Sequence, residues 1–286
     1  MSKIDVIIPI KGRPAMLRER SLPALQSQTI QDFKVTIVDD GSSSGDFVEI
    51  TQIIGEFCRT GMDIKLLKNI GNPGAAGARN FGFNNTSSKY VLWYDSDDIL
   101  LDNKLESSLA LIASSNFDFA ITRAQHLRDG ELINEFWGEP QAPNRGKYAY
   151  HFPYQTMCAF YHRQFLIDQD IKWNESLDAA QDWIFSNEAL LSSNNWVFSP
   201  VVTAHYFVPT EQSGSIGSQL PSSKVDSHVE AIRCIKAILL RNNLEFNAWS
   251  RLRILKHLLY LKGIRLANVF KYKRTSYRGA AGALPS

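Results

Sequence analysis

Cysteine is scarce in this sequence, and its few copies have no spacing that supports a metal centre or a disulfide framework. The 286 residues include three cysteines, Cys58, Cys158 and Cys234, and no two of them form a CxxC pair. This pattern excludes a cysteine-rich zinc site and is typical of a protein from a reducing compartment. We expect the three thiols to be small, buried apolar side chains.

Long uncharged apolar runs are missing as well. No segment approaches the roughly 20 apolar residues of a membrane-spanning helix, so the sequence predicts no spanning segment. Near the amino terminus, Asp5 lies inside the first apolar segment and no small-residue cleavage site follows, which argues against a secretory signal. We therefore expect a cytoplasmic protein.

Positive charge is concentrated in one part of the chain, although the formal net charge is only +2. Residues 1–223 hold 18 Lys and Arg against 26 Asp and Glu, a balance of −8, whereas residues 224–286 hold 13 against 3, a balance of +10. The basic tail also carries leucines at helical spacing. One interpretation is a peripheral helix that binds the anionic inner surface of a membrane. The other is a helix packed on the rest of the protein with an exposed basic face.

Strand-like apolar runs recur with the period of a βαβ unit. They begin, at intervals of 29, 31, 26 and 28 residues, near Ile4, Phe33, Ile64, Tyr90 and Asp118. The runs at 6–8, 35–38 and 90–93 are continuously apolar, as expected of parallel strands with helices on both faces. Segments 47–57 and 105–112 have the apolar spacing of such helices. The sequence therefore predicts an α/β fold, a Rossmann-like, mostly parallel sheet flanked by helices.

The regular rhythm ends after Ile121. Residues 128–131 predict a hairpin turn, and residues 136–155 have no clear period and predict a long loop. Residues 156–161 then predict a further strand, and residues 163–167 a short helix.

One apolar strand ends in three carboxylates, those of Asp95, Asp97 and Asp98, with Ser96 among them. Repulsion between acids this close is unfavourable, and a divalent cation is the simplest partner that relieves it. Hard oxygen ligands suit Mg²⁺ or Mn²⁺ and leave coordination positions open for a diphosphate. A solvated turn is the alternative, and the motif alone does not decide between the two.

Two more predicted strand ends carry residues suited to a nucleotide. Asp39 and Asp40 follow the second apolar run, where an acid can bind a base or ribose, although a plain turn fits them equally well. Small Gly and Ala side chains in residues 72–78 let the backbone approach a ligand, and the following Arg79 suits phosphate. Tight packing of a helix on the sheet also explains the small residues but leaves Arg79 without a role.

Asp182 and His205 are weaker candidates. Asp182 lies at the predicted start of a helix, where Trp173 and Trp183 could provide aromatic walls that raise its pKa. An aspartate in that position is more often a helix cap. The histidines show no HxxxH or HExxH spacing. Among them His205 could be a later metal ligand, and a structural core histidine is the favoured alternative.

Taken in this order, the strand-end motifs resemble the family 2 glycosyltransferases with the GT-A fold, over about residues 4–208. The motifs that carry the resemblance are Val6-Ile7-Ile8-Pro9-Ile10-Lys11-Gly12-Arg13-Pro14, Val38-Asp39-Asp40-Gly41-Ser42, Ala78-Arg79-Asn80 and Tyr94-Asp95-Ser96-Asp97-Asp98. Four ordered matches are far more specific than any one of them. Two positions depart from the family pattern, because Gln181 precedes Asp182 where relatives have Glu, and Lys11 stands where many have Tyr.

The resemblance implies a site for a nucleotide sugar, formed by Pro9, Lys11, Arg13, Asp39, Asp40, Arg79, Asp95 and Ser96. Within it, Asp39 would read the uracil, and Lys11 or Arg13 would contact phosphate instead of stacking on the base. Asp97 would bind Mn²⁺ or Mg²⁺, with Asp95 and His205 as further candidate ligands. Asp182 would be the catalytic base.

The implied reaction is metal-dependent transfer of a sugar from a nucleotide sugar, a UDP-sugar by preference, to a hydroxyl of a glycan or lipid-linked glycan. A single carboxylate base suits a single displacement, which inverts the anomeric carbon. The GT-A domain would span residues 1–223, with a nucleotide-sugar half at 1–121 and an acceptor half at 122–223, followed by a basic helical region at 224–286. A sugar-nucleotide nucleotidyltransferase and a non-catalytic nucleotide-sugar-binding protein stay open as alternatives, and we expect no nucleic-acid partner.

Overall fold

The computed structural model describes residues 3–138, 154–208, 222–242 and, except for 253 and 257, 251–262. Its strands are β1 (Ile4–Ile10), β2 (Phe33–Asp39), β3 (Ile64–Lys68), β4 (Tyr90–Trp93), β5 (Ile99–Leu100), β6 (Phe119–Arg128), β7 (Glu131–Trp137), β8 (Ala159–His162) and β9 (Trp196–Phe207). Its helices are α1 (Pro14–Met16), α2 (Leu22–Gln26), α3 (Ser44–Arg59), α4 (Ala75–Asn84), α5 (Lys104–Ala113), α6 (Arg163–Asp168), α7 (Gln181–Ser192) and α8 (Ser222–Arg241). A π-helical turn, Leu17–Ser21, joins α1 to α2, and the described part of 251–262 is also helical.

The strands form one mixed sheet in the order β3-β2-β1-β4-β8-β6-β9-β5, with β7 paired to β6. The first four strands in that order are parallel. Their predicted starts at 4, 33, 64 and 90 are confirmed, and the fifth predicted strand begins at Phe119, one residue later than expected. Because the carboxyl ends of parallel strands meet at one edge, the strand-end motifs of β1, β2 and β4 come together there.

The second half of the sheet is mainly antiparallel. Strand β8 runs antiparallel to β4 and β6, and the two-residue β5 runs antiparallel to β9. The predicted hairpin between β6 and β7 is confirmed, with Asp129 and Gly130 both at positive φ, 52° and 85°, as a tight hairpin turn requires.

Four local predictions needed correction. Of the three cysteines expected to be buried, only Cys158 is, whereas Cys58 is exposed and Cys234 is partly exposed. The predicted loop over 136–155 begins too early because β7 continues to Trp137, and most of that loop, 139–153, lies outside the described residues. The strand predicted for 156–161 is a 3-10 turn at Thr156–Cys158 followed by β8. Pro23 predicts a break or kink in the first helix, but it lies within α2, and the irregularity is the π-helical turn ahead of it.

The helix α7 lies between two apolar clusters. Its residues Phe185 and Ala189 belong to the main core, around the sheet. Its other side packs against the tail in a second cluster made of Leu177, Trp183, Ile184, Leu191, Ala231, Ile232, Ile235, Ile238, Leu239 and Ile254. The tail helix α8 therefore supports the helix that carries Asp182.

A buried ion pair ties the amino-terminal end of the sheet together. Arg163 donates to the carboxylate of Asp5 at 2.9 Å, to the carbonyls of Ser88 at 2.7 Å and Phe83 at 2.9 Å, and to the hydroxyl of Thr86 at 2.8 Å. These contacts join the start of β1 to the segments that enter β4 and α6. Among the helices that the structure describes, none is long and apolar enough to span a membrane.

Candidate active site

The acidic motif forms a turn between β4 and β5, which we call the metal turn (residues 95–98) after the metal site that the sequence predicts there. Tyr94 is fully buried beneath it and donates its hydroxyl to the carbonyl of Asp98 at 2.8 Å. The carboxylate of Asp98 is also buried and accepts the backbone N–H of Phe207, and burial raises its pKa well above the usual range. Asp98 therefore anchors the turn, whereas the side chains of Asp95 and Asp97 are 29% and 38% exposed.

The charges on the metal turn suit a divalent cation. Burial raises the pKa of Asp97, and the neighbouring carboxylate of Asp95 raises it further, against the opposing effect of Arg13 and Arg20. A bound cation would relieve this repulsion, and carboxylate oxygens are the ligands that Mg²⁺ and Mn²⁺ prefer. Within the described ranges, no three His, Cys, Asp or Glu side chains converge to hold a metal alone. A cation here would need ligands from a diphosphate or from water.

Two arginines from the segment after β1 reach Asp97. Arg13 is the last residue before α1 and has a positive φ. Its guanidinium lies 3.7 Å from the Asp97 carboxylate. Arg20, on the π-helical turn, donates instead to the Asp97 carbonyl at 2.8 Å. Arg13 was among the predicted residues, and Arg20 was not.

Arg79 links the metal turn to the helix that carries Asp182. Its buried guanidinium bonds the carboxylate of Asp95 at 2.6 Å and the amide oxygen of Gln181 at 3.4 Å. It also lies 4.4 Å from the ring centre of Trp173. The small residues ahead of Arg79 have a packing role too, since a Cβ at Gly77 would meet the carbonyl oxygen of Asn72 at 1.9 Å.

The two carboxylates after β2 have different surroundings. Asp40 accepts from the side-chain amide of Asn69 at 2.7 Å and from the backbone N–H of Gly74 at 2.8 Å, and Lys11 approaches it to 3.9 Å. It therefore holds the loop before α4. Asp39 is also buried and accepts the backbone N–H of Ser42 at 3.2 Å.

Asp182 is the second residue of α7 and is partly exposed. Burial raises its pKa, and Asp95 adds to the increase, while Arg79 and the N–H of Trp183, 2.9 Å away, lower it. A small pocket lies beside Asp182. The pocket is lined by Trp93, Tyr154, Thr156, Tyr161, Trp173, Asp182, Phe185 and Ser186.

The remaining predicted residues lie around the same edge of the sheet. Pro9 is partly exposed in β1 and stands opposite Val38 of β2, and Ser96 is buried in the metal turn. His205 lies in β9, paired with Ile99 just after the turn, and burial lowers the pKa of its imidazole. The neutral imidazole favoured by this shift is the form that can bind a metal.

The sequence analysis did not predict three side chains that lie around the candidate site. Arg20 reaches the metal turn from the π-helical turn. Glu175 accepts hydrogen bonds from Asn80, at 2.6 Å, and from Asn72. Burial raises the pKa of Tyr206, and the charges of all three turn aspartates and of Asp182 raise it further. No local motif marks any of the three, because their partners are distant in sequence.

Comparison with known proteins identifies relatives over most of the chain. The family model described as Glycosyl transferase family 2 matches residues 5–175. An uncharacterized glycosyltransferase of Rickettsia bellii is 34% identical over 126 residues, which are 44% of this chain and 17% of the relative. The Escherichia coli enzyme UDP-Glc:alpha-D-GlcNAc-diphosphoundecaprenol beta-1,3-glucosyltransferase WfgD is 28% identical over 116 residues, 41% of this chain and 44% of the relative.

A third relative also has a solved structure. The poly(ribitol-phosphate) beta-N-acetylglucosaminyltransferase TarS of Staphylococcus aureus is 26% identical over 251 residues, 86% of this chain and 42% of the relative. The crystal structure of TarS 1-349 in complex with UDP-GlcNAc superposes with a TM-score of 0.67 at 20% identity, over 93% of this chain and 73% of that one. The predicted fold class is thus confirmed. The chain spans only about a fifth of the length of its Rickettsia relatives and less than half that of WfgD and TarS.

Proposed function

We propose a reaction and a set of roles for this chain, which belongs to glycosyl transferase family 2. The reaction is transfer of a sugar from a UDP-sugar to a hydroxyl group of a glycan or lipid-linked glycan. One observation carries the proposal. Arg79 bonds both Asp95 of the metal turn and Gln181 next to Asp182, so a diphosphate site and a basic carboxylate lie on two sides of one buried guanidinium.

The sugar donor lies along the carboxyl ends of β1 and β2. Because Asp40 is engaged by Asn69 and Gly74, Asp39 is the residue that binds the uracil. Lys11 and Arg13 are exposed cations beside this edge and bind the diphosphate. The name of WfgD specifies UDP-glucose as its sugar donor, which supports UDP over other nucleotides.

A cation, Mn²⁺ or Mg²⁺, would be held by Asp97 together with diphosphate oxygens and water, because Asp97, Asp95 and His205 do not all converge on one metal position, and it would neutralise charge on the leaving diphosphate. Arg13, 3.7 Å from Asp97, is half-exposed, so its guanidinium can also contact a phosphate oxygen of the donor. Arg79 keeps Asp95 oriented toward the ribose or sugar.

Asp182 is the base. The acceptor oxygen forms its bond to the anomeric carbon as the bond to the UDP oxygen breaks, and Asp182 takes the proton of the acceptor hydroxyl. Its raised pKa makes it a stronger base than an exposed aspartate while it is ionised. Since a single carboxylate acts in a single displacement, the anomeric configuration inverts.

The acceptor is brought from a membrane surface by the helical segment 251–262. Leu252, Leu255 and Leu259 are exposed at the i, i+3, i+7 spacing of one helix face, and exposed Arg251, Lys256 and Lys262 lie beside them. The opposite face is buried through Ile254 and Leu261. An apolar stripe flanked by cations is typical of helices that bind anionic lipid, and the name of WfgD specifies a diphosphoundecaprenol acceptor.

Sedimentation with vesicles of anionic lipid tests this surface. The double variant L255E/L259E should lose binding, whereas L132E, which changes an exposed leucine of β7, should sediment like the wild type. Equal sedimentation of all three proteins would contradict the assignment of this face.

Release of UDP from a panel of UDP-sugars, with and without Mn²⁺, tests the reaction. We expect metal-dependent release that Asp182→Asn abolishes while UDP binding is kept. A nucleotidyltransferase would instead form a UDP-sugar and pyrophosphate from UTP and a sugar 1-phosphate, and a binding protein would bind the UDP-sugar without releasing UDP. Near-normal transfer by the Asp182→Asn variant would contradict the role of the base.

A further inference from the structure

We propose that Arg20 is a positioning residue that orients Asp97 for metal binding, an inference that rests on the proposed metal site. Arg20 lies on the π-helical turn, outside the strand-end motifs that carry the resemblance to the family. Its guanidinium contacts both the metal turn and the end of β9. The proposed site requires these two segments to keep fixed positions relative to each other.

The π-helical turn places Arg20 on the correct side of its helix. Within this turn, Leu17 and Ser21 are buried while Arg18 and Arg20 point in different directions. Arg18 pairs with Glu56 of α3 at the surface, with a shortest distance of 2.5 Å. Arg20 points toward the metal turn. Turns of this kind often occur at functional sites, because the wider turn redirects side chains.

Arg20 makes two contacts that together fix the turn. Its Nη1 donates to the carbonyl oxygen of Asp97 at 2.8 Å, and its guanidinium carbon lies 3.8 Å from the centre of the Phe207 ring. The backbone N–H of Phe207 in turn bonds the buried carboxylate of Asp98. Phe207 therefore holds the turn directly through Asp98 and indirectly through Arg20.

The choice of atom on Asp97 matters for the role. Because Arg20 bonds the backbone carbonyl, it orients Asp97 without occupying the carboxylate oxygens that would bind a cation. Residues that orient a metal ligand in this way typically change metal affinity by 10–100-fold when removed.

Titration of Mn²⁺ into the full chain with saturating UDP tests the inference, with the dissociation constant for Mn²⁺ as the measured quantity. The variant Arg20→Met should raise this constant by about 10–100-fold, and Arg20→Lys should recover part of the loss. Arg18→Met is the matched control, since it removes the neighbouring arginine of the same turn, and it should behave like the wild type. The affinity for UDP without metal should be the same in all four proteins.

A second variant tests the same inference if Arg20→Met does not fold. Phe207→Leu keeps an apolar side chain but removes the ring beneath the guanidinium, and it should also raise the Mn²⁺ dissociation constant while Arg18→Met does not. Equal Mn²⁺ affinity in the Arg20, Phe207 and Arg18 variants would overturn the role of Arg20 and leave the proposed reaction intact. Failure of the wild type to bind Mn²⁺ with UDP would overturn the metal site itself, and the role of Arg20 with it.

Discussion

Replacement of Lys104 by methionine should remove a pH-dependent cost to folding. Lys104 opens α5 with no exposed surface, and its ammonium donates to two uncharged oxygens, the hydroxyl of Thr122 at 2.9 Å and the carbonyl of Cys158 at 3.0 Å. Burial lowers its pKa from 10.5 to about 8. The charged form is therefore the one that the fold disfavours.

The sign of the effect follows from proton binding. Between pH 8 and 10.5 the unfolded chain keeps the Lys104 proton while the folded chain loses it, so the free energy of unfolding contributed by this residue rises with pH. The fall of the pKa from 10.5 to about 8 corresponds to about 3 kcal/mol over the whole window. Below pH 8 both states are protonated and the full cost is present. Methionine has a similar volume and no charge, and Thr122 still bonds Thr203 at 2.6 Å.

Urea unfolding of the wild type and of Lys104→Met at pH 7.5 and 9.5 measures this cost. We expect the methionine variant to be the more stable at pH 7.5, because replacing a buried charge by an apolar group of similar volume is often stabilising. Its advantage should shrink by about 2 kcal/mol at pH 9.5, at about 1.4 kcal/mol for each pH unit above 8. The control Lys34→Met removes a half-exposed lysine and should show no such change. If the advantage of Lys104→Met is the same at both pH values, the reasoning about Lys104 is refuted.

Three further predictions concern other parts of the fold. Gly77→Ala should lower the free energy of unfolding by about 1–3 kcal/mol and weaken UDP binding, because its Cβ would displace the carbonyl of Asn72; thermal unfolding with and without UDP measures both. Arg163→Met should cost about 3–5 kcal/mol in urea unfolding by leaving Asp5 buried without its partner, and a cost below 1 kcal/mol would contradict this. The kcat of the wild type should fall in acid as Asp182 is protonated, at a pH above the usual aspartate range because burial raises its pKa; a pH profile that is flat down to pH 4 would refute the assignment.

The parallel half of the sheet was predictable because its signal is local. Strands covered by helices on both faces are continuously apolar, and those at Ile4–Ile10, Phe33–Asp39 and Tyr90–Trp93 were placed correctly. The strand Ile99–Leu100 was missed because two residues show no period. The π-helical turn left one trace, the five-residue spacing of the buried Leu17 and Leu22, which exceeds the three-to-four spacing of an α-helix.

Sequence motifs marked candidate site residues at strand ends, as for Asp39, Arg79 and Asp97, and at the start of a helix, as for Asp182. The structure places Asp39 at the end of β2 and Asp97 just after β4, and the roles of these residues stay predictions. The roles of Asp40 and Asp98 as anchors depend on partners far away in sequence, Gly74 and Phe207. Sequence spacing carries no record of such contacts.

The most direct test of the central claim, that the metal turn forms a metal site completed by a diphosphate, is the number of Mn²⁺ ions bound per chain, measured by electron paramagnetic resonance with and without UDP. One ion should bind tightly when UDP is present and not without it, since no three side chains converge on a metal within the described residues. Asp97→Asn should lose this ion and Asp182→Asn should keep it. Tight Mn²⁺ binding that needs no UDP, or that survives in Asp97→Asn, would contradict the account.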